Sequence, residues 1–331
     1  MKGQKKIHFP KNFSGKTGAH RIYCHSTALL LYYAKLYLGV YAVMKKLRFT
    51  ALCAAGMMLA ALTAGCGGDN PADTSAKTYV VLEDSLDAEQ YGIGFRNEDI
   101  ALGLEVQKHL DEMIQDGTAA EISNKWFGED ILLKDQAYLE ESTAPSGDDS
   151  LTKIQNKGKL VLGLDDSFPP MGFRDESDTI VGFDIDLATE VAKRMGVTLE
   201  VQPIDWDAKE MELSTGRIDC IWNGMSVDDD RLAAMFFAKP YVANRQIVIV
   251  PSDSDIKTVA DLAGKKVGLQ KGSTALSALK KNAVFEQMAE VVELADNVTV
   301  FMDLKAGRVD AFVVDEVVGR YIISTDQGEQ E

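Results

Sequence analysis

From residue 77 onward the chain alternates short β-rich runs with helical patterns, and few folds accept that alternation. The runs at 79–83, 160–164, 199–204, 218–223, 246–250, 266–270 and 311–314 are rich in aliphatic and β-branched residues, as buried strands are. Helical spacing fills the gaps. Leu102, Val106, Leu110 and Met113 share one face after Asp99, with Gly117 as the stop. Thr118 and Glu121 have capping-box spacing ahead of Trp126-Phe127-Gly128, and 184–195 is a further helical stretch closed by Gly196. The pattern predicts an α/β protein, and 331 residues suffice for two packed lobes. Residues 134–152 interrupt it. Periodicity ceases there and turn formers accumulate, so the stretch is expected to be a linker.

The start of the chain has a different character. Residues 1–65 carry ten Lys and Arg and no acid. Met44-Lys45-Lys46-Leu47-Arg48 followed by the apolar run 49–62 reads as a secretory signal, too short for a comfortable membrane span. The run ends in Leu62-Thr63-Ala64-Gly65-Cys66, which resembles a bacterial lipobox, although Thr63 stands where an aliphatic residue is usual. The expectation is a lipoprotein signal peptide at 44–65, acylation of Cys66, and a flexible tether at 66–76; ordinary cleavage with Cys66 incidental is the alternative. Residues 1–43 precede a complete signal and read as an extension from an over-extended start codon. Their apolar stretch 28–43 is short for a span and is interrupted by Lys35.

Charge and rare residues exclude several chemistries. Beyond residue 65 there are 25 basic and 51 acidic residues, so a nucleic-acid partner is excluded. Cys220 is the only cysteine past Cys66, which rules out an internal disulfide framework. His109 is the only histidine past His25, which argues against histidine-based triads and His-rich metal sites. The glycine-rich stretch 264–273 lacks the Gly-Lys-Ser/Thr end of a P-loop, and no cofactor is expected.

Four motifs in order carry a specific resemblance. They are Gly163-Leu-Asp-Asp-Ser-Phe-Pro-Pro-Met-Gly-Phe173, Val181-Gly-Phe-Asp-Ile-Asp-Leu187, Asn223-Gly-Met-Ser-Val-Asp-Asp-Asp-Arg231 and Gly307-Arg-Val-Asp-Ala311. Through them residues 153–325 resemble the polar-amino-acid binding proteins of ABC transporters. Residues 77–133, with Gln90-Tyr-Gly-Ile-Gly-Phe95, Asp116-Gly-Thr118 and Lys125-Trp-Phe-Gly128, resemble the carboxy-terminal end of that family, yet here they come first. The resemblance therefore implies a two-lobed periplasmic-binding-protein-like fold of type II, circularly permuted, with central sheets flanked by helices and a two-strand hinge. Lobe 1 would be 87–241, including the permutation linker 134–152, and lobe 2 would combine 77–86 with 242–331.

An amino acid presents a carboxylate, an ammonium and a side chain, each needing a partner in a closed cleft. By resemblance Arg231 grips the carboxylate through its planar fork, with Ser273 and Thr274 facing it from the other lobe. Asp315 accepts the ammonium together with Gly224 and Ser226, and Asn223 belongs to the same stretch. Phe168 and Trp206 would sandwich the side chain, Asp165 occupies the position where relatives reading basic or amide side chains place an aspartate, and Gln270 is counted in the site although it is less typical at its place. Asp165 favours arginine, lysine, ornithine or glutamine, leaving histidine and cystine open. Helix capping for Ser273 and Asp315, and a core role for Phe168, are the ordinary alternatives.

The implied molecule is a monomeric, non-enzymatic binding protein outside the cell membrane or in the periplasm, held by lipid on Cys66, with ABC permease and ATPase subunits as partners. An enzyme on the same fold, such as a cyclohexadienyl-type dehydratase using Asp165 and Asp166, or a ligand-sensing module, are the competing readings.

Overall fold

The computed structural model describes residues 77–140 and 142–328. Cys66, the signal peptide, the tether and the extension 1–43 lie outside the described residues. In chain order the strands are β1 Tyr79–Val81, β2 Ala88–Phe95, β3 Lys159–Leu164, β4 Ser167–Phe168, β5 Gly172–Arg174, β6 Ile180–Val181, β7 Thr198–Pro203, β8 Cys220–Ser226, β9 Phe236–Phe237, β10 Val242–Pro251, β11 Lys266–Gln270, β12 Glu290–Leu294 and β13 Ala311–Asp315.

The main sheet has the order β12-β11-β13-β10-β2-β8-β3-β7, and it curls into two lobes about β10. Val242–Arg245 of β10 pair with β2 in the first lobe, and Gln246–Ile249 pair with β13 in the second. Beside β10 runs the stretch from β1 to β2, tied by Leu82 N to Val248 O, Leu86 N to Gln246 O and Gln246 N to Asp87 O, all 2.9 Å. Two antiparallel chains thus cross between the lobes, and β2 enters the first lobe between β10 and β8. The fold is the two-lobed α/β arrangement of type II periplasmic binding proteins.

The strand chemistry follows burial. β3, β11 and β13 are parallel strands of nearly continuous apolar sequence; β13 is buried throughout, and β3 and β11 are buried except at their first residues. The edge strand β7 alternates exposed and half-buried residues instead. Helices Ile100–Asp116 and Phe183–Arg194 cover the first lobe with Leu102, Val106, Leu110, Phe183, Leu187 and Val191, all fully buried. Val248, Val250, Leu262, Val267, Leu269 and Val313 fill the second.

Two local expectations change. Thr118 donates to Asp116 Oδ1 rather than forming a capping box with Glu121, because Gly117, at φ 88°, both ends one helix and starts the next. The linker is shorter than 134–152, since a helix begins at Ser150. Nor is it detached. Asp148 Oδ2 accepts from Ala101 N at 2.6 Å and Ser150 Oγ from Leu102 N at 3.1 Å, so residues at and just before the start of helix Ser150–Lys157 cap helix Ile100–Asp116. Asp99 holds the N-cap position of that helix, but its carboxylate pairs with Arg96 at 2.5 Å instead of capping.

Candidate ligand cleft between the lobes

The turn after β8 places the first polar groups. Asp228 caps the short helix Asp229–Ala234, and this turns Arg231 back under the strand. There Arg231 Nη1 donates to Ser226 O at 2.6 Å and Nη2 reaches across to Gly272 O of the second lobe at 3.1 Å. Its side chain is buried.

Behind β8 lies a fully buried carboxylate. Asp184 accepts from Gly224 N at 2.7 Å and from the Tyr241 hydroxyl at 2.8 Å. Gly224 has φ 55°, and a Cβ there would stand 2.8 Å from the Phe168 ring, so glycine lets backbone and aromatic ring approach. Burial pushes the Asp184 carboxyl up to about 7. A carboxyl whose pKa is raised by folding stabilises most below its unfolded value and loses that contribution as pH rises through its folded one. From Asp184 alone the ligand-free protein is therefore expected to lose about 1–3 kcal/mol between pH 5 and pH 8, and Asp184→Asn to make the overall loss shallower. Urea unfolding across that range checks this; an unchanged slope in the variant refutes it.

The cleft floor gathers residues from both lobes. Phe168, Trp206, Gly224, Ser226 and Arg231 come from the first, and Gln270, Ser273, Thr274 and Asp315 from the second, around a cavity of about 10 Å³. That is room for about one water, so a ligand enters when the lobes part. Contacts between the lobes close it. Gln270 Nε2 donates to Asp165 Oδ2 at 2.7 Å, Lys209 Nζ to Gly272 O at 3.0 Å, and Lys271 pairs with Asp207 at 2.7 Å. A larger hollow of about 580 Å³ opens beside Asp166, Gln202 and Arg217, but the motif residues do not converge there.

Eleven positions were expected in the site, and nine line this cavity. Asp165 sits just behind it on Gln270, with burial pushing its carboxyl up to about 6. Asn223 does not line it. Its Oδ1 accepts from Asp165 N at 3.0 Å, so it braces the loop that carries Asp165. Ser273 Oγ donates to Gln270 O at 2.7 Å, a local turn contact, while its residue still borders the cavity. Trp206 opens the short turn Trp206–Ala208 and is buried, with Lys209 Nζ 5.0 Å from its ring centroid. Asp166 turns outward to Arg174 at 2.6 Å, so Asp165 and Asp166 do not form a carboxyl pair in the cleft.

Three residues escaped sequence reasoning. Lys209 is buried beside Arg231, and burial followed by that neighbouring charge lowers its pKa. Glu89 accepts from Ser226 Oγ at 2.6 Å, and Asn244 Nδ2 donates to Asp315 Oδ1 at 2.6 Å. Tyr91, within an expected motif, donates its hydroxyl to Asp315 Oδ1 at 3.0 Å. Burial and then the Glu89 charge push the Asp315 carboxyl up to about 7.

Two lobes on a paired-strand hinge, with a cation and carboxyls facing one cleft, are the architecture found in solute-binding proteins. Residues 160–297 match the model of bacterial extracellular solute-binding proteins, family 3, and the chain belongs to that family. L-cystine-binding protein TcyJ of Escherichia coli (strain K12) is 32% identical over 169 residues, 50% of this chain and 62% of that protein's length. Among solved structures, an ABC uptake transporter substrate-binding protein from Streptococcus pneumoniae with bound histidine is 36% identical, with TM-score 0.53, covering 55% of this chain and 76% of its own. An ancestral arginine-binding protein bound to arginine is 39% identical, with TM-score 0.50, covering 51% of this chain and 75% of its own. All three are binding proteins.

Proposed function

We propose that this chain captures a polar amino acid by closing its lobes and presents it, as a monomer, to the permease of an ABC importer powered by separate ATPase subunits. The observation that carries this reading is that Arg231 and Asp315, opposite charges on opposite lobes, border one cavity with Trp206 and Phe168. A zwitterion satisfies both charges at once, and closure buries it. Asp165 favours a basic or amide side chain: arginine, lysine, ornithine or glutamine before histidine or cystine. The reading favours binding over the dehydratase alternative, because Asp166 is turned out of the cleft and forms no carboxyl pair with Asp165 there.

Circular permutation is part of the same proposal. Residues 77–133, similar to the family's closing segment, lie outside the matched stretch 160–297 and supply β2 to the first lobe. The lipid anchor on Cys66 would keep the protein at the outer face of the membrane, or in the periplasm.

The test is a thermal-shift screen of residues 77–331 against the standard amino acids, ornithine and cystine. At a ligand concentration of 100 times Kd the expected stabilisation is about 2.7 kcal/mol. A folded sample that none of them shifts would sink the reading.

A further inference from the structure

We propose that Glu89, on the crossover strand β2, is a positioning residue for the ligand's α-ammonium: it shares the Asn244 amide with Asp315, which receives the ammonium, and it fixes which way the Ser226 hydroxyl points. The proposal rests on the amino-acid reading of the cleft and assigns that site a residue outside the expected set.

Hydrogen bonds carry it. Glu89 Oε2 accepts from Ser226 Oγ at 2.6 Å, Gln246 Nε2 at 3.0 Å and Asn244 Nδ2 at 3.1 Å. The same Asn244 nitrogen donates to Asp315 Oδ1 at 2.6 Å, so a single amide bridges both carboxylates. Tyr91 adds its hydroxyl to Asp315 Oδ1. Every one of these donors is neutral.

The neighbouring cations are committed elsewhere. Arg231 points to Ser226 O and Gly272 O, Lys209 to Gly272 O and Trp206 O, Arg245 to Glu316, and Lys281 to Asp87. Two carboxylates converge at the hinge with no cation paired to either among the described residues. Such a pair is relieved by a proton or by a positive ligand. An α-ammonium brings three N–H groups. Asp315 takes one, and Ser226 Oγ is free to accept another because its own hydrogen is held by Glu89. Without that carboxylate the hydroxyl can turn its hydrogen toward the ammonium.

The charged and titratable groups facing Asp315 are Glu89 and Tyr91 of β2, with Arg231 across the cavity; Asn244 and Gln246 of β10 are neutral, and Glu316 turns away to Arg245. Ammonium binding requires ionised Asp315, so affinity falls as pH drops through the range where Asp315 takes a proton. Because the Glu89 charge raises that range, Glu89→Gln is expected to move the acid limb of the affinity profile to lower pH while weakening binding at high pH.

The experiment is calorimetric titration of the purified full chain, wild type, Glu89→Gln and Glu89→Asp, with L-arginine, L-glutamine and L-histidine, from pH 5.5 to 8.5 in two buffers of different ionisation enthalpy. L-glutamine isolates the ammonium seat from titration of Asp165. Expected are proton release on binding near neutral pH in the wild type, a tenfold to hundredfold weaker Kd for Glu89→Gln at pH 8.5, on the order of one charged hydrogen bond, and an acid limb shifted down. Glu89→Asp should restore the limb. Wild-type affinity in Glu89→Gln at every pH overturns the proposal, and so does a uniform loss with an unmoved limb, which marks a merely structural role. A wild type that binds none of the probes, and that no amino acid of the thermal-shift screen stabilises, overturns the amino-acid reading as well.

Discussion

Arg231→Ala is expected to remove ligand-induced stabilisation almost entirely while leaving the protein folded. In the proposed site the buried guanidinium meets the ligand's carboxylate, and deleting one member of a buried ion pair costs about 3–5 kcal/mol. That corresponds to at least a hundredfold loss of affinity. A ligand at 100 times the wild-type Kd, which stabilises the wild type by about 2.7 kcal/mol, would stabilise the variant by about 0.4 kcal/mol. For a domain of this size the melting shift falls from roughly 5–10 °C to about 1 °C. Arg231 also ties Ser226 O to Gly272 O, so the variant should close less readily. Thermal shift with and without ligand separates the effects: a variant that keeps the wild-type shift refutes the carboxylate role.

Gly182→Ala should cost more in stability than any surface change, about 3–5 kcal/mol. Gly182 has φ 151° and ψ 171°, a region that only glycine adopts without strain. An added Cβ would lie 2.2 Å from Met171 O and 2.6 Å from Met171 C, both backbone atoms that cannot rotate away. The next amides are clamped to the same loop, Phe183 N to Pro170 O at 2.9 Å and Asp184 N to Met171 O at 3.0 Å. Relief of the clash therefore moves the start of helix Phe183–Arg194, and with it Asp184 beneath Gly224. Urea unfolding decides the matter, and a variant within 1 kcal/mol of wild type would show that the loop yields.

How far the sequence could be read depended on whether a role was local. Lys266–Gln270 was legible to the residue because a short apolar run between punctuating residues is a strand wherever it packs. Arg231 and Asp315 could be placed at the cavity because they lie within or shortly after a motif of the family, and Trp206 because the resemblance assigned it to an aromatic pair. Glu89 and Lys209 were not. Glu89 lies one residue before a motif, on a strand whose neighbours at 226, 244 and 315 are set only by the crossing of β2 and β10. Lys209 reads as a helix-surface lysine until Gly272 arrives from the other lobe. The Thr118 capping box failed for a related reason: an adjacent helix ended at Gly117 and left Asp116 within reach of the hydroxyl.

β10 belongs to both sheets, with its partner changing between Arg245 and Gln246. Neither half of the molecule owns a complete ladder, since the strand that finishes one begins the other. Fraying on one side therefore strips hydrogen bonds from the other side's central strand, and the two halves are built to unfold as a single cooperative unit. A movement that opens the cleft turns about the joint in this strand, while the ladders at its two ends stay intact. What joins the lobes mechanically also joins them thermodynamically, so a ligand gripped by both stabilises the whole.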